Sequence, residues 1–205
     1  MKLYRFERST NVERVALAVA FKGLEVESIW VDPSDRTPVR EISGQDLVPI
    51  LVDGERVLFE SMTIVRYLEH EYPDPPLYPR DPARRAELEV FVEWFNGVWK
   101  GPPNEIAAEL ERPHPDQATI ERLGRRTADW LDLFEDLLTG REYLFGQEFT
   151  AADCAAFPFL KYAHFGVERG DEEVFHHILA DYQPLGGTHP KVEAWILRVD
   201  KRPRA

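Results

Sequence analysis

A proline stands inside an apolar run that otherwise has the marks of a β-strand. The stretch LVPILVDGERVLFES, Leu47–Ser61, carries apolar runs on either side of Asp53-Gly54, and Pro49 lies within the first of them. Asp-Gly between two such runs is a strong signal for a two-residue hairpin. Proline has no N–H for a ladder hydrogen bond, so sheets accept it only where it opens a strand or follows a cis bond that turns the chain. With a cis Val48-Pro49 bond, the Val48 N–H and C=O face outward, where an extended peptide can pair with them as an added strand.

The surrounding pattern narrows the fold. Lys2–Phe6 is short and β-rich, and Asn11–Lys22 places Val12, Val15, Ala16 and Val19 at helical spacing with Gly23 as its stop. Val26–Val31 reads as a second strand, Pro33–Ser43 as loop or weak helix, Val48–Val52 and Arg56–Phe59 as the hairpin, and Ser61–Tyr72 as a helix ended by Pro73. This β-α-β-(α)-β-β-α order, with its turning proline, is that of the thioredoxin fold. The segment PDPPLYPRDP, Pro73–Pro82, holds five prolines and marks a change of composition. Beyond it the chain reads as helical: Ala83–Trp99, broken at Gly101-Pro102-Pro103, then Gln117–Leu138, Thr150–His164, Glu172–Ala180 and Lys191–Val199. The fold class is therefore an α/β thioredoxin-like N-terminal domain (1–76), a linker (77–82) and an all-α C-terminal domain (83–205).

Composition excludes several partners. A net charge of −12 disfavours nucleic acid and anionic membrane surfaces, which reward basic patches. The single cysteine, Cys154, excludes an internal disulfide and a C-x-x-C metal or redox motif. No apolar run approaches a membrane span, and MKLYRFERST lacks the apolar segment of a secretory signal, so the expected setting is cytoplasmic.

Two helix starts offer chemistry. Ser61 reads as an N-cap, and such a position also forms an anion site from backbone N–H groups and the hydroxyl. Glu60 beside it presents a carboxylate to an ammonium, so the pair suits the α-amino-acid end of a γ-glutamyl group. Ser9 lies between the first strand and the first helix, where thioredoxins carry their first reactive cysteine, and Thr10-x-x-Glu13 reads as a capping box. A hydroxyl at a helix start can donate to a thiolate, and donor and helix dipole together lower a thiol pKa from about 8.5.

These stretches together resemble the cytosolic glutathione transferases, over nearly the whole chain. The resemblance implies Ser9 as the catalytic hydroxyl with Thr10 and Asn11 as the alternative donors. Val48-Pro49 becomes the cis-proline pair that binds glutathione, the co-substrate, and Glu60-Ser61 the γ-glutamyl site. FTAADCAAFPFL, Phe149–Leu160, is similar to the family's buried capping box, with Thr150 as N-cap and Asp153 as its partner, both for folding. LYPRDPARRAELE, Leu77–Glu89, is similar to its interdomain junction. Arg8-Ser9-Thr10 is similar to the Arg-Ser-Ser start of zeta-class isomerases, with Asn11 where those carry cysteine. Leu47 also departs: relatives often place Lys, Gln or His there, reaching the glycyl carboxylate, and losing such a bond costs about 1.5–3 kcal/mol. Arg36 and Arg40 are the nearby cations that could compensate.

The resemblance also implies a homodimer in which the Ser61–Tyr72 helix meets its partner's Ala83–Trp99 helix, and an electrophile pocket between the halves. Trp99, Tyr162 and Phe95 are the expected pocket residues, Trp94 and Trp130 core, His164 a hydrogen-bonded surface residue, and His176-His177 solvated. The expected function is conjugation of the glutathione thiolate to a hydrophobic small-molecule electrophile. The alternatives are glutathione-dependent isomerisation, dehalogenation or peroxide reduction, or a non-catalytic binding module on the same fold.

Overall fold

The computed structural model describes residues 1–205, which divide into two compact units: Met1–Pro82 with Arg202–Ala205, and Ala83–Lys201. The first unit is a four-stranded sheet in the order β2-β1-β3-β4. β1 (Lys2–Arg5) runs parallel to β2 (Glu27–Trp30) and antiparallel to β3 (Ile50–Asp53), which pairs antiparallel with β4 (Arg56–Phe59). Asp53 faces Arg56 across a two-residue loop, and Gly54 at its first position takes φ +59°, a conformation that costs glycine nothing. Helices α1 (Thr10–Phe21) and α3 (Ser61–Glu71) pack together, and the short α2 (Thr37–Ser43) buries Val39.

α1 shows how local sequence sets a boundary. The Leu24 N–H donates to the Val19 C=O (3.1 Å) and the Gly23 N–H to the Ala20 C=O (3.0 Å), with Gly23 at φ +64°. That is the Schellman stop expected of the glycine. Just before it, Lys22 turns its ammonium inward to Glu69 (2.7 Å) and to the carbonyls of Tyr72 (2.7 Å) and Pro75 (3.0 Å). Glu69 in turn accepts the N–H groups of Leu77 (2.9 Å) and Tyr78 (3.4 Å). A buried ion pair persists only when its remaining donors and acceptors are satisfied. Here they are satisfied by the proline-rich segment, which is thereby tied to α1 and α3.

The second unit is helical. α4 (Pro82–Trp94) passes through a π-helical turn at Phe95–Trp99 into α5 (Gly101–Leu110), where Pro102 occupies the first turn that tolerates it. The irregularity thus precedes the Gly101-Pro102-Pro103 break read from sequence. α6 (Gln117–Leu137), α7 (Ala151–Leu160), α8 (Tyr162–Phe165), α9 (Val174–Asp181) and α10 (Pro190–Asp200) complete it. Every residue of α7 is buried. Its N-terminus is the capping box expected at Thr150 and Asp153: Asp153 Oδ2 accepts the Thr150 N–H (2.8 Å) and hydroxyl (2.9 Å). Oδ1 takes the Leu144 N–H (3.0 Å) and the Trp195 indole N–H (2.8 Å), so one carboxyl joins a loop, α7 and α10. Burial pushes this carboxyl up from its ordinary range while the four donors pull it down. On α6, Gly124 is required by close approach, since a Cβ there would lie 2.2 Å from Tyr182 Cδ1.

Candidate functional site

The register of the sheet gathers the site. Ile50 pairs with Tyr4 on one side and Phe59 on the other. Tyr4 leads out through Arg5 to Ser9, Phe59 leads directly to Glu60 and Ser61, and Val48-Pro49 immediately precedes Ile50. Three chain segments therefore leave one end of the sheet together. The Val48-Pro49 bond is cis, and no backbone hydrogen bond engages Val48.

Both helix starts carry an unusual backbone. Arg8 (φ +57°) and Glu60 (φ +67°) are the non-glycine residues with positive φ, and each stands at the head of a helix that frames this end of the sheet. Such conformations cost on the order of 1–3 kcal/mol and persist where surroundings enforce them, most often at functional sites. Ser9 itself is the N-cap of α1: its Oγ accepts the Val12 N–H at 3.4 Å. That contact uses a lone pair and leaves the O–H proton for a partner. The expected Thr10–Glu13 capping box is corrected, because the cap falls one residue earlier and Thr10 is a buried first-turn residue. Asn11 follows it, half-buried.

At α3 the cap also moves. Glu60 occupies the N-cap position, and Ser61, read as the cap, is the first helical residue. Ser61 is buried, and its Oγ accepts from Arg14 Nη1 at 3.2 Å. Arg14 was missed by the sequence reading. It is buried on α1 between Thr10, Leu17 and Ala18, all buried as well, and it ties α1 to the start of α3. A charged residue on the apolar face of an amphipathic helix was the signal available for it.

Leu47 is 60% exposed, and its backbone is clamped by Gln45, whose Nε2 donates to the Leu47 C=O (2.9 Å) while Oε1 accepts its N–H (3.2 Å). The two nearby cations are already engaged. Arg40 pairs with the Asp46 carboxylate at 2.8 Å, and Arg36 donates to the carbonyls of Asp46 and Pro33.

The aromatic assignments need correction. Phe95 and Trp99 stack at 4.4 Å and 11° and are fully buried among Phe134 and Phe159, so they are core. Tyr162 is buried too, stacked on His176 at 4.7 Å. Trp94 and Trp130, expected in the core, are half-buried and pack edge-on at 5.7 Å. His176, expected to be solvated, is buried with Nδ1 2.7 Å from Asp171 Oδ2. His164 meets Glu193 at 3.1 Å. No group of His, Cys, Asp and Glu side chains is arranged to hold a metal.

A family model for the glutathione S-transferase N-terminal domain matches residues 3–76, and one for the C-terminal domain of the same family matches residues 117–198. The chain is 35% identical over 164 residues to glutathione S-transferase 3 of Zea mays, covering 75% of this chain and 73% of that one. The chain belongs to the glutathione S-transferase family. It is thus a transferase that uses glutathione as its co-substrate. This transferase is also 34% identical over 178 residues to a maleylacetoacetate isomerase of Pseudomonas aeruginosa, covering 82% of this chain and 84% of that one. Among solved structures, a glutathione S-transferase of Rhodospirillum rubrum F11 matches with a TM-score of 0.77 and 25% identity, covering 98% of this chain and 88% of that one. No helix is long and apolar enough to cross a membrane.

Proposed function

We propose that this enzyme conjugates the glutathione thiolate to a hydrophobic electrophile, with Ser9 as the donor that holds the thiol ionised. The observation that carries the reading is the convergence of Ser9, Val48 and Glu60-Ser61 on one end of the sheet. Glutathione pairs with the Val48 backbone as an extended peptide. Its γ-glutamyl carboxylate meets the start of α3, where the backbone N–H groups and helix dipole favour an anion, and its ammonium meets Glu60. The cysteinyl thiol then faces Ser9, which donates its O–H to the sulfur. Arg14 is a positioning residue that fixes the Ser61 hydroxyl. The thiol gives its proton to solvent, the thiolate attacks the electrophile and forms the new carbon–sulfur bond, and the leaving group departs or the adduct takes a proton from solvent. Thiolate formation and proximity supply the catalysis.

Exposed Val57 and Phe59 on β4 and Val90 on α4 support a two-fold homodimer, and family membership supports a cytoplasmic setting. A second reading, glutathione-dependent isomerisation, is favoured by the similarity to the isomerase and by Arg8-Ser9-Thr10. Retention on immobilised glutathione, followed by thiol consumption against aryl halides, epoxides and enones, tests the first reading. Turnover of an enone with no net loss of thiol favours the second. Failure to bind glutathione sinks both.

A further inference from the structure

Residues Arg202–Ala205 group with the first unit and run along α1. The Ala205 N–H donates to the Ala16 C=O (3.2 Å), Arg5 Nη1 to the Ala205 C=O (2.6 Å), and the Arg202 guanidinium lies 5.5 Å from the Phe21 ring centre. Arg204 makes the charged contact: its Nε and Nη2 donate to Glu13 Oε1 at 3.2 and 3.1 Å. Both side chains are largely shielded, at 24% and 15% exposure, so solvent screens the pair less than an exposed one.

Glu13 is placed to matter. Its N–H donates to the Ser9 C=O at 3.0 Å, so it lies one turn above Ser9. The first turn of the helix therefore separates its carboxylate from the helix entry that carries Ser9. The negative charge of the Glu13 carboxylate repels an anion held at the start of α1 and offsets the positive potential that the helix N-terminus offers that anion. A guanidinium bound to that carboxylate cancels the repulsion. The Arg204–Glu13 pair thus joins a segment 191 residues away to the helix start that carries Ser9.

We propose that Arg204 is a positioning residue for the thiol. By neutralising Glu13, it keeps a thiol beside Ser9 more acidic than the bare helix start would. The catalytic meaning rests on the Ser9 assignment above, but the charge relation itself does not. A thiol built into the same spot reports it without glutathione. The other charged groups around this helix start, Glu7, Arg8, Arg14 and Glu60 at the head of α3, stay the same throughout.

The test uses the full chain carrying Ser9→Cys, titrated by ultraviolet thiolate absorbance with the Ser9 parent subtracted so that Cys154 drops out. It is made alone and with Arg204→Gln, Glu13→Gln or both. Arg204→Gln should raise the new thiol's pKa by about half a unit to one unit. Glu13→Gln should not raise it, and the double variant should return close to the starting value, since a neutral pair and two neutral side chains leave the same net charge. A titration unmoved by Arg204→Gln overturns the proposal. So does an equal rise with and without Glu13, which would mean that the segment acts by packing. The same substitutions in the Ser9 chain, read on bound glutathione, separate the two ideas. If the built-in thiol responds and the glutathione thiol does not, the charge relation stands and the placement of glutathione at Ser9 is wrong.

Discussion

Asp153→Ala removes one side chain and leaves four donors without their acceptor: the N–H groups of Leu144 and Thr150, the Trp195 indole N–H and the Thr150 hydroxyl. The hydroxyl can rotate to a new partner, but the three N–H groups are fixed by backbone or ring. Each buried unsatisfied donor costs about 1–3 kcal/mol, so their sum is roughly 3–9 kcal/mol. Two effects reduce it. Removing a fully buried carboxyl recovers its desolvation cost, and the small cavity left behind can admit water. A net loss of about 3–5 kcal/mol follows, larger than the roughly 0.5–2 kcal/mol of an ordinary helix cap. It is a large share of the 5–15 kcal/mol typical of a folded protein. Urea unfolding of wild type and variant measures it through the midpoint and slope. Glutathione conjugation per folded molecule should stay within about twofold, because the carboxyl lies in the helical unit and binds only folding groups. A loss below about 1 kcal/mol with an unchanged slope refutes the hub. A large fall in turnover without loss of stability refutes the purely structural role.

Three further outcomes follow from other contacts. Lys22→Met or Glu69→Gln breaks the buried pair that ties down the proline-rich segment and should cost about 3–5 kcal/mol in urea unfolding, while changing both partners to apolar residues should cost less. Gly124→Ala should destabilise by about 1–3 kcal/mol although alanine is the better helix former, and Tyr182→Ala should remove most of that penalty in a double-mutant cycle. Glu60→Gly relieves a positive φ and should hold or raise the melting temperature, while glutathione affinity measured by calorimetry falls. A joint loss of stability and affinity would assign Glu60 to the fold alone.

Features of this fold legible in the sequence are those that neighbouring residues decide. Gly23 ends α1 because left-handed backbone is cheap only for glycine, and Asp53-Gly54 makes the hairpin for the same reason. Thr150 and Asp153, expected from the family resemblance, form their capping box within four residues. The aromatic assignments failed on phase. Leu88, Val92, Phe95 and Trp99 form one buried stripe, and Trp94 sits one residue off it; Trp130 likewise sits beside buried Leu131. At Trp99 the chain runs on into α5 instead of ending a helix, and the indole is buried. The caps at Ser9 and Glu60 each fell one residue before the residue read as the cap, because several hydroxyls and carboxylates compete at both starts. Contacts across long sequence distances were out of reach. Arg14 to Ser61 spans 47 residues, Lys22 to Glu69 the same, and Arg204 to Glu13 spans 191. No periodicity encodes which charged side chain will find which partner.

The central claim is that Ser9 donates to the glutathione sulfur and keeps it ionised near neutral pH. Its direct test is the thiolate absorbance of bound glutathione against pH, in wild type and in Ser9→Ala, Thr10→Ala and Asn11→Ala. Loss of the donor destabilises the anion, so Ser9→Ala should move the titration to higher pH. A rise of one unit corresponds to roughly 1.4 kcal/mol of lost stabilisation, with little change in glutathione affinity. Thr10, buried in the first turn, and Asn11 should leave the titration in place. A Ser9→Ala variant that titrates like wild type while Thr10→Ala or Asn11→Ala shifts would contradict the assignment and move the donor one or two residues along the helix.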